Sequence, residues 1–142
     1  MLEKYDPNFN LKKCCDGIKL KQGFTTIKQC ESYLRKMVPQ ESYFQKKIIK
    51  ELKARYPDAF VQKISLQQYS GGAGFPDILM IYKGQYFGFE VKRPAGLNEA
   101  SEIQKKKIEM LNKAGGIAIV CTYPEECFKA VDEWERKIGK RK

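Results

Sequence analysis

Apolar residues change their period several times along this chain, and each change marks an element. Over residues 25–38, Ile27, Cys30, Leu34, Met37 and Val38 recur at helical spacing, and Pro39 ends the run. A second amphipathic helix is predicted over about 40–56, with Phe44, Ile48 and Leu52 on one face and Pro57 as its stop. Residues 59–68, AFVQKISLQQ, read as a strand with Phe60, Ile64 and Leu66 on one face. The glycine-rich stretch SGGAGFP then leads into two strands at about 77–82 and 85–92, joined at Lys83-Gly84. Ser101 opens a helix over about 101–113, which Gly115 and Gly116 end. GIAIVCT, at 116–122, is a continuous apolar run, the pattern of a strand covered on both faces. Phe128, Val131 and Trp134 stripe a last helix over about 124–138.

These elements predict an α/β fold. Its core runs α-β-β-β-α-β, with a mixed central sheet flanked by helices, a closing C-terminal helix and an N-terminal helical extension. Residues 1–40 form the N-terminal arm and helix, and 41–142 the core. Residues 1–24 are polar and irregular, with Pro7, Gly17 and Gly23.

Composition narrows the chemistry. With 142 residues and 42% hydrophobic content, the chain can bury a core of its own. It holds no run of 18 apolar residues and no apolar stretch near its N-terminus, so neither a membrane nor secretion is expected. The expected location is the cytoplasm of a host or bacterium, on the nucleoid when bound to DNA. The formal charge of +10, from 27 Lys+Arg against 17 Asp+Glu, favours an anionic partner, nucleic acid before a membrane surface. The five cysteines are odd in number, and Cys14 and Cys15 are adjacent, so reduced thiols fit better than a disulfide framework. There is no histidine and no CxxC pair, which excludes His-based nucleophilic triads and His-ligated zinc. Any catalysis falls to carboxylates, lysine or tyrosine, with a hard metal.

The hairpin carries that chemistry. With the turn at Lys83-Gly84, Tyr82 pairs with Gln85, Met80 with Phe87 and Ile78 with Phe89. Asp77 then stands opposite Glu90. Side chains alternate with period two, so Glu90 and Lys92 share a face and Val91 points away. Opposed residues have Cβ atoms about 5 Å apart, and like charges there are destabilising. Either one carboxylate is protonated or a cation sits between them. Two carboxylates plus water suit Mg²⁺ or Mn²⁺. The pattern points to a metal-dependent phosphodiester hydrolase, with Asp77, Glu90 and the Val91 backbone carbonyl as ligands and Lys92 stabilising developing charge or orienting water. A plainer reading has Asp77 capping a turn after Pro76 and Glu90–Lys92 forming a surface pair; it leaves one carboxylate over.

The segments GFPD (74–77), FEVKRP (89–94) and SEIQ (101–104) together resemble the PD-(D/E)xK nuclease superfamily, and most of all its virus-type replication–repair nuclease (VRR-NUC) branch. The matching residues are Pro76, Asp77, Glu90, Lys92 and Gln104, within residues 41–122. The resemblance implies a restriction-endonuclease-like core, a metal held by Asp77 and Glu90, and Lys92 as the catalytic lysine. It also implies a glutamate on the first core helix and a glutamine on the helix after ExK. Glu41 fills the first place, as a further metal ligand, with Glu51 as the alternative. Gln104 fills the second. Each also has a simpler reading: Glu41 suits a helix N-terminus, and Ser101–Gln104 is a capping box.

Small stand-alone members of the branch resemble Holliday-junction resolvases. That implies branched DNA, a repair role and a homodimer, with the 25–38 helix and the last helix as candidate dimer surfaces. DNA contacts are expected from Arg93, Lys105 and Lys106, and from loop backbone at Gly72 and Gly74. Tyr69, Tyr82 and Tyr86 are stacking candidates or core residues. Such contacts read shape and charge, and weaken with salt. Three other readings stay open at this point. They are an exonuclease or nicking enzyme, a catalytically inactive DNA-binding module of the same fold, and a basic scaffold for a protein or membrane partner.

Overall fold

The computed structural model describes residues 26–65, 74–94, 97 and 99–139. Helices α1 (Ile27–Met37) and α2 (Glu41–Arg55) precede strands β1 (Phe60–Lys63), β2 (Ile78–Tyr82) and β3 (Gln85–Val91). Helix α3 (Glu102–Lys113), strand β4 (Ile117–Cys121) and helix α4 (Pro124–Gly139) follow. This is the α/β element order the sequence predicts. Local chemistry explains the helix starts. Thr26 and Gln29 form a capping box at α1, and Ser101 and Gln104 form one at α3. At α4, Pro124 takes the first position and Glu126 reaches back to the amides of Thr122 and Tyr123, both at 3.0 Å.

The four strands lie in the order β1-β2-β3-β4. The first three are antiparallel, and β4 runs parallel to β3. Lys83 (φ 51°) and Gly84 (φ 79°) both adopt positive φ, as a two-residue hairpin turn of the favoured twist demands. The turn sets the register: Tyr82 opposite Gln85, Met80 opposite Phe87, Ile78 opposite Phe89. One sheet face buries Val61, Ile78, Met80, Phe87 and Phe89 against Phe44, Ile48 and Leu52 of α2 and Val131 of α4. Trp134 meets Phe87 edge-on at 5.6 Å and Tyr82 at 6.2 Å.

Helix α1 belongs to this core, because Cys30, Leu34 and Val38 are buried in the same cluster. On the candidate dimer surfaces, Cys30, Leu34 and Val38 of α1 and Val131 of α4 are covered by the chain itself, while Met37 is 47% exposed. Two strands depart from expectation. In β1 the inward residue is Val61, opposite Met80, while Phe60 is 56% exposed opposite Ile81. Period two allows one set or the other inward, and Met80 decides it. Leu66 lies outside the described residues. Strand β4 is an edge of the sheet with Val120 43% exposed, so the apolar run is not covered on both faces along its whole length. Cys121 and Cys127 are free and buried, with their sulfurs 3.7 Å apart. Cys30 is disulfide-bonded, which corrects the expectation of reduced thiols throughout. Among the described residues no helix is long and apolar enough to cross a membrane.

Candidate metal centre

The site forms where the hairpin ladder ends. Asp77 stands one residue before β2. Its carbonyl accepts from Ile64 N–H at 2.7 Å, and its Oδ2 accepts from Val91 N–H at 2.9 Å. That second bond fixes the carboxylate against the end of β3. Val91 thus meets the Asp77 carboxylate through its N–H. On β3, Phe87, Phe89 and Val91 point into the core, so Glu90 points to the other face. It is 1% exposed.

Lys92 sits between two of the acids. Its Nζ lies 3.3 Å from Glu90 Oε1 and 3.6 Å from Glu41 Oε1. Its backbone is fixed by β4: Lys92 N–H donates to the Cys121 carbonyl at 2.9 Å, and Thr122 Oγ1 donates to the Lys92 carbonyl at 2.8 Å. Nothing in the sequence pattern pointed to Thr122. Glu41, the first residue of α2, brings its carboxylate to the same place, and oxygens of Glu41, Asp77 and Glu90 all lie within 4.8 Å of one another. Glu51 is exposed further along α2 and does not join them.

Gln104 satisfies both of its readings at once. Its Oε1 accepts from Ser101 N–H at 2.8 Å, and its Nε2 donates to Glu90 Oε1 at 2.7 Å. A side-chain amide can do this because its two ends have opposite polarity.

Three carboxylates with one amine leave negative charge uncompensated. Burial, and then the nearby Asp77 carboxylate, raise Glu90 from the ordinary 4.5 to about 7, against the opposing pull of Lys92. Burial, countered by Lys92, also raises Glu41. Glu90 Oε2 is buried without a hydrogen-bond partner. An orphaned carboxylate oxygen facing two further carboxylates is a donor set made only of oxygens. It fits a hard divalent cation.

No family model matches the sequence, and no curated protein matches it. Solved structures do match. One, described as a VRR_NUC domain, shares 25% identity at a TM-score of 0.52, over 65% of this chain and 94% of its own. Another, a VRR_NUC domain protein, shares 20% identity at a TM-score of 0.52, over 67% of this chain and 87% of its own. The core carries the VRR-NUC fold. It is the kind of fold on which PD-(D/E)xK nucleases are built, and the acidic cluster within it is compatible with a divalent metal.

Other predicted site residues take different places in the VRR-NUC core. Arg93 was expected to face DNA, but it is 7% exposed and donates to three main-chain carbonyls. A guanidinium so engaged is not offered to phosphate. Gly74 was expected to let DNA approach. Its φ is +81°, and a Cβ there would come within 2.7 Å of the Ile103 carbonyl oxygen, so the missing side chain makes room for α3. Gly72 and Tyr69 lie outside the described residues. Lys105 and Lys106 are exposed on α3, with Lys105 Nζ 3.6 Å from Glu102. Tyr82 is a core ring beside Tyr56 and Trp134. Tyr86 spans Gly88 and Gly116, either of which would clash with its ring if it bore a Cβ.

Proposed function

We propose that this chain is a Mg²⁺- or Mn²⁺-dependent DNA endonuclease that hydrolyses phosphodiester bonds, with branched DNA as its substrate. The observation that carries the reading is the meeting of Glu41, Asp77 and Glu90 carboxylates around the Lys92 amine. Asp77, Glu90 and Glu41, with the Val91 backbone carbonyl, would hold the ion, which when bound supplies Lewis acidity and lowers the pKa of water. Lys92 offers a cation to a phosphate oxygen as charge develops on it. Gln104 keeps the Glu90 carboxylate in a single orientation through its 2.7 Å hydrogen bond. Asp77 is held likewise by the Val91 amide.

The charge of +10 supports a polyanionic substrate, and exposed Lys105 and Lys106 are two cations suited to its phosphates. A homodimer would present two such sites to a four-way junction by matching its two-fold symmetry.

The test incubates the protein with a four-way junction, a flap and a plain duplex, with Mg²⁺ or Mn²⁺, beside Asp77→Asn and Lys92→Ala. Wild type cuts the branched substrates, and both variants bind them without cutting. Equal cutting by the variants removes the site assignment. Binding without cutting by wild type in either metal favours an inactive DNA-binding module.

A further inference from the structure

Arg93 follows Lys92 directly, yet it turns into the protein. Its Nε donates to the Pro39 carbonyl at 3.0 Å, and its Nη2 donates to the Arg35 and Val38 carbonyls, each at 2.9 Å. Arg35 lies in the last turn of α1 and Val38 is its C-cap. Carbonyls there lack intrahelical partners and sit at the negative end of the helix dipole. Pro39 comes two residues before Glu41. The guanidinium therefore joins the end of β3 to the whole turn between α1 and α2.

That turn needs an outside fastening. The N-cap of α2, Gln40, makes no side-chain cap hydrogen bond. The Tyr43 amide donates to the Gln40 carbonyl at 3.0 Å, so what the first turn lacks is the side-chain cap, which contributes about 1 kcal/mol. Glu41 is the first residue of that helix, where fraying acts first. A buried guanidinium is costly unless its donors are met, and three charge-assisted bonds meet them. An apolar side chain could fill the volume but could not hold the turn. A lysine lacks the planar fork that reaches three divergent carbonyls.

We propose that Arg93 is a positioning residue: it ties the α1–α2 turn to the strand end that bears Glu90 and Lys92, and so sets the reach of the Glu41 carboxylate into the site. The inference rests on the proposed metal-dependent reading of that site. All three hydrogen bonds of Arg93 go to main-chain carbonyls, so its hold on the turn passes through the backbone, beside a smaller direct attraction between its charge and Glu41 that Arg93→Lys retains. It also gives α1 a purpose beyond core volume, since α1 supplies two of the three carbonyls.

The test is a double-mutant cycle on the intact chain, read by Mn²⁺ titration calorimetry, with circular dichroism to verify folding. Arg93→Lys and Arg93→Gln should each weaken Mn²⁺ binding about 10-fold or more, the usual scale for losing a residue that orients a ligand. In a Glu41→Gln background the same substitutions should have no further effect. Equal weakening in both backgrounds overturns the proposal, as does unchanged affinity in a folded Arg93 variant. Should neither Arg93 variant fold, Pro39→Gly loosens the turn while keeping its carbonyl. It must then show the same dependence on Glu41, and independence from Glu41 overturns the proposal. Failure of the underlying reading looks different: Asp77→Asn and Glu90→Gln would leave Mn²⁺ binding untouched, and this inference would fall with it.

Discussion

Glu90→Gln should stabilise the metal-free protein at neutral and alkaline pH. Glu90 is raised from 4.5 to about 7, first by burial and next by Asp77. Between those two values the native side chain holds a proton that the unfolded chain has already released. Stability therefore falls as pH rises through that window, and the full cost is present above about 7. At about 1.4 kcal/mol for each unit of displacement, the cost is about 3 kcal/mol. For a chain of this size that is about 6–12 °C in Tm. A neutral amide removes the titration and can still accept from Gln104. The assay is thermal unfolding in EDTA at several pH values from 4.5 to 8.5, for wild type and Glu90→Gln. The Tm difference should be near zero at the acid end and grow in favour of the variant toward pH 8. Glu41 is raised first by burial, a cause the substitution leaves in place, so the difference isolates Glu90. A gap that stays constant with pH, or one that favours wild type at pH 8, refutes the electrostatic account of the site.

Further consequences follow from single contacts. Ser101→Ala removes the α3 cap and costs about 1 kcal/mol of stability while cutting is retained, whereas Gln104→Ala also frees Glu90 and lowers the cutting rate about 10-fold or more; comparing Tm with initial rates separates the two roles. Phe87→Ala, which removes a fully buried ring stacked on Phe89 and edge-on to Trp134, should cost about 3–5 kcal/mol in urea unfolding. Helix α3 contributes no buried residue, so its amides should exchange with deuterium sooner than those of β3. Exchange of both together would show instead that α3 opens only with the whole fold.

How far the sequence reveals this depends on which residues repeat and which act alone. The hairpin was legible because two independent signals agree. Lys83-Gly84 sets the turn, and the alternation of Phe87, Phe89 and Val91 sets the face. The face of β1 was misread because Phe60, Ile64 and Leu66 outweigh Val61 in a short apolar segment, and only its partner Met80 settles which set turns inward. Arg93 was misplaced for a different reason. A basic residue beside an acidic motif in a basic chain reads as a phosphate contact, and the carbonyls it meets lie 54 to 58 positions away. No local pattern encodes a bond to a distant main chain. Gln104 was half legible: the capping box is local, while its contact with Glu90 depends on how α3 crosses the sheet.

The site inherits its precision from the core. On β3 the period that buries Phe87, Phe89 and Val91 is the one that turns Glu90 toward Asp77. A slip of one residue would drive Glu90 among Phe44 and Ile48 and expel two phenylalanines, so hydrophobic burial enforces the pairing of like charges. Glu41 follows the same logic in helical form, three residues before Phe44 and seven before Ile48, on the face that points inward. The energy that keeps Glu41, Asp77 and Glu90 together against their repulsion is therefore the burial of apolar side chains on the same elements. That is why loss of charge at Glu90 should strengthen the fold that holds it.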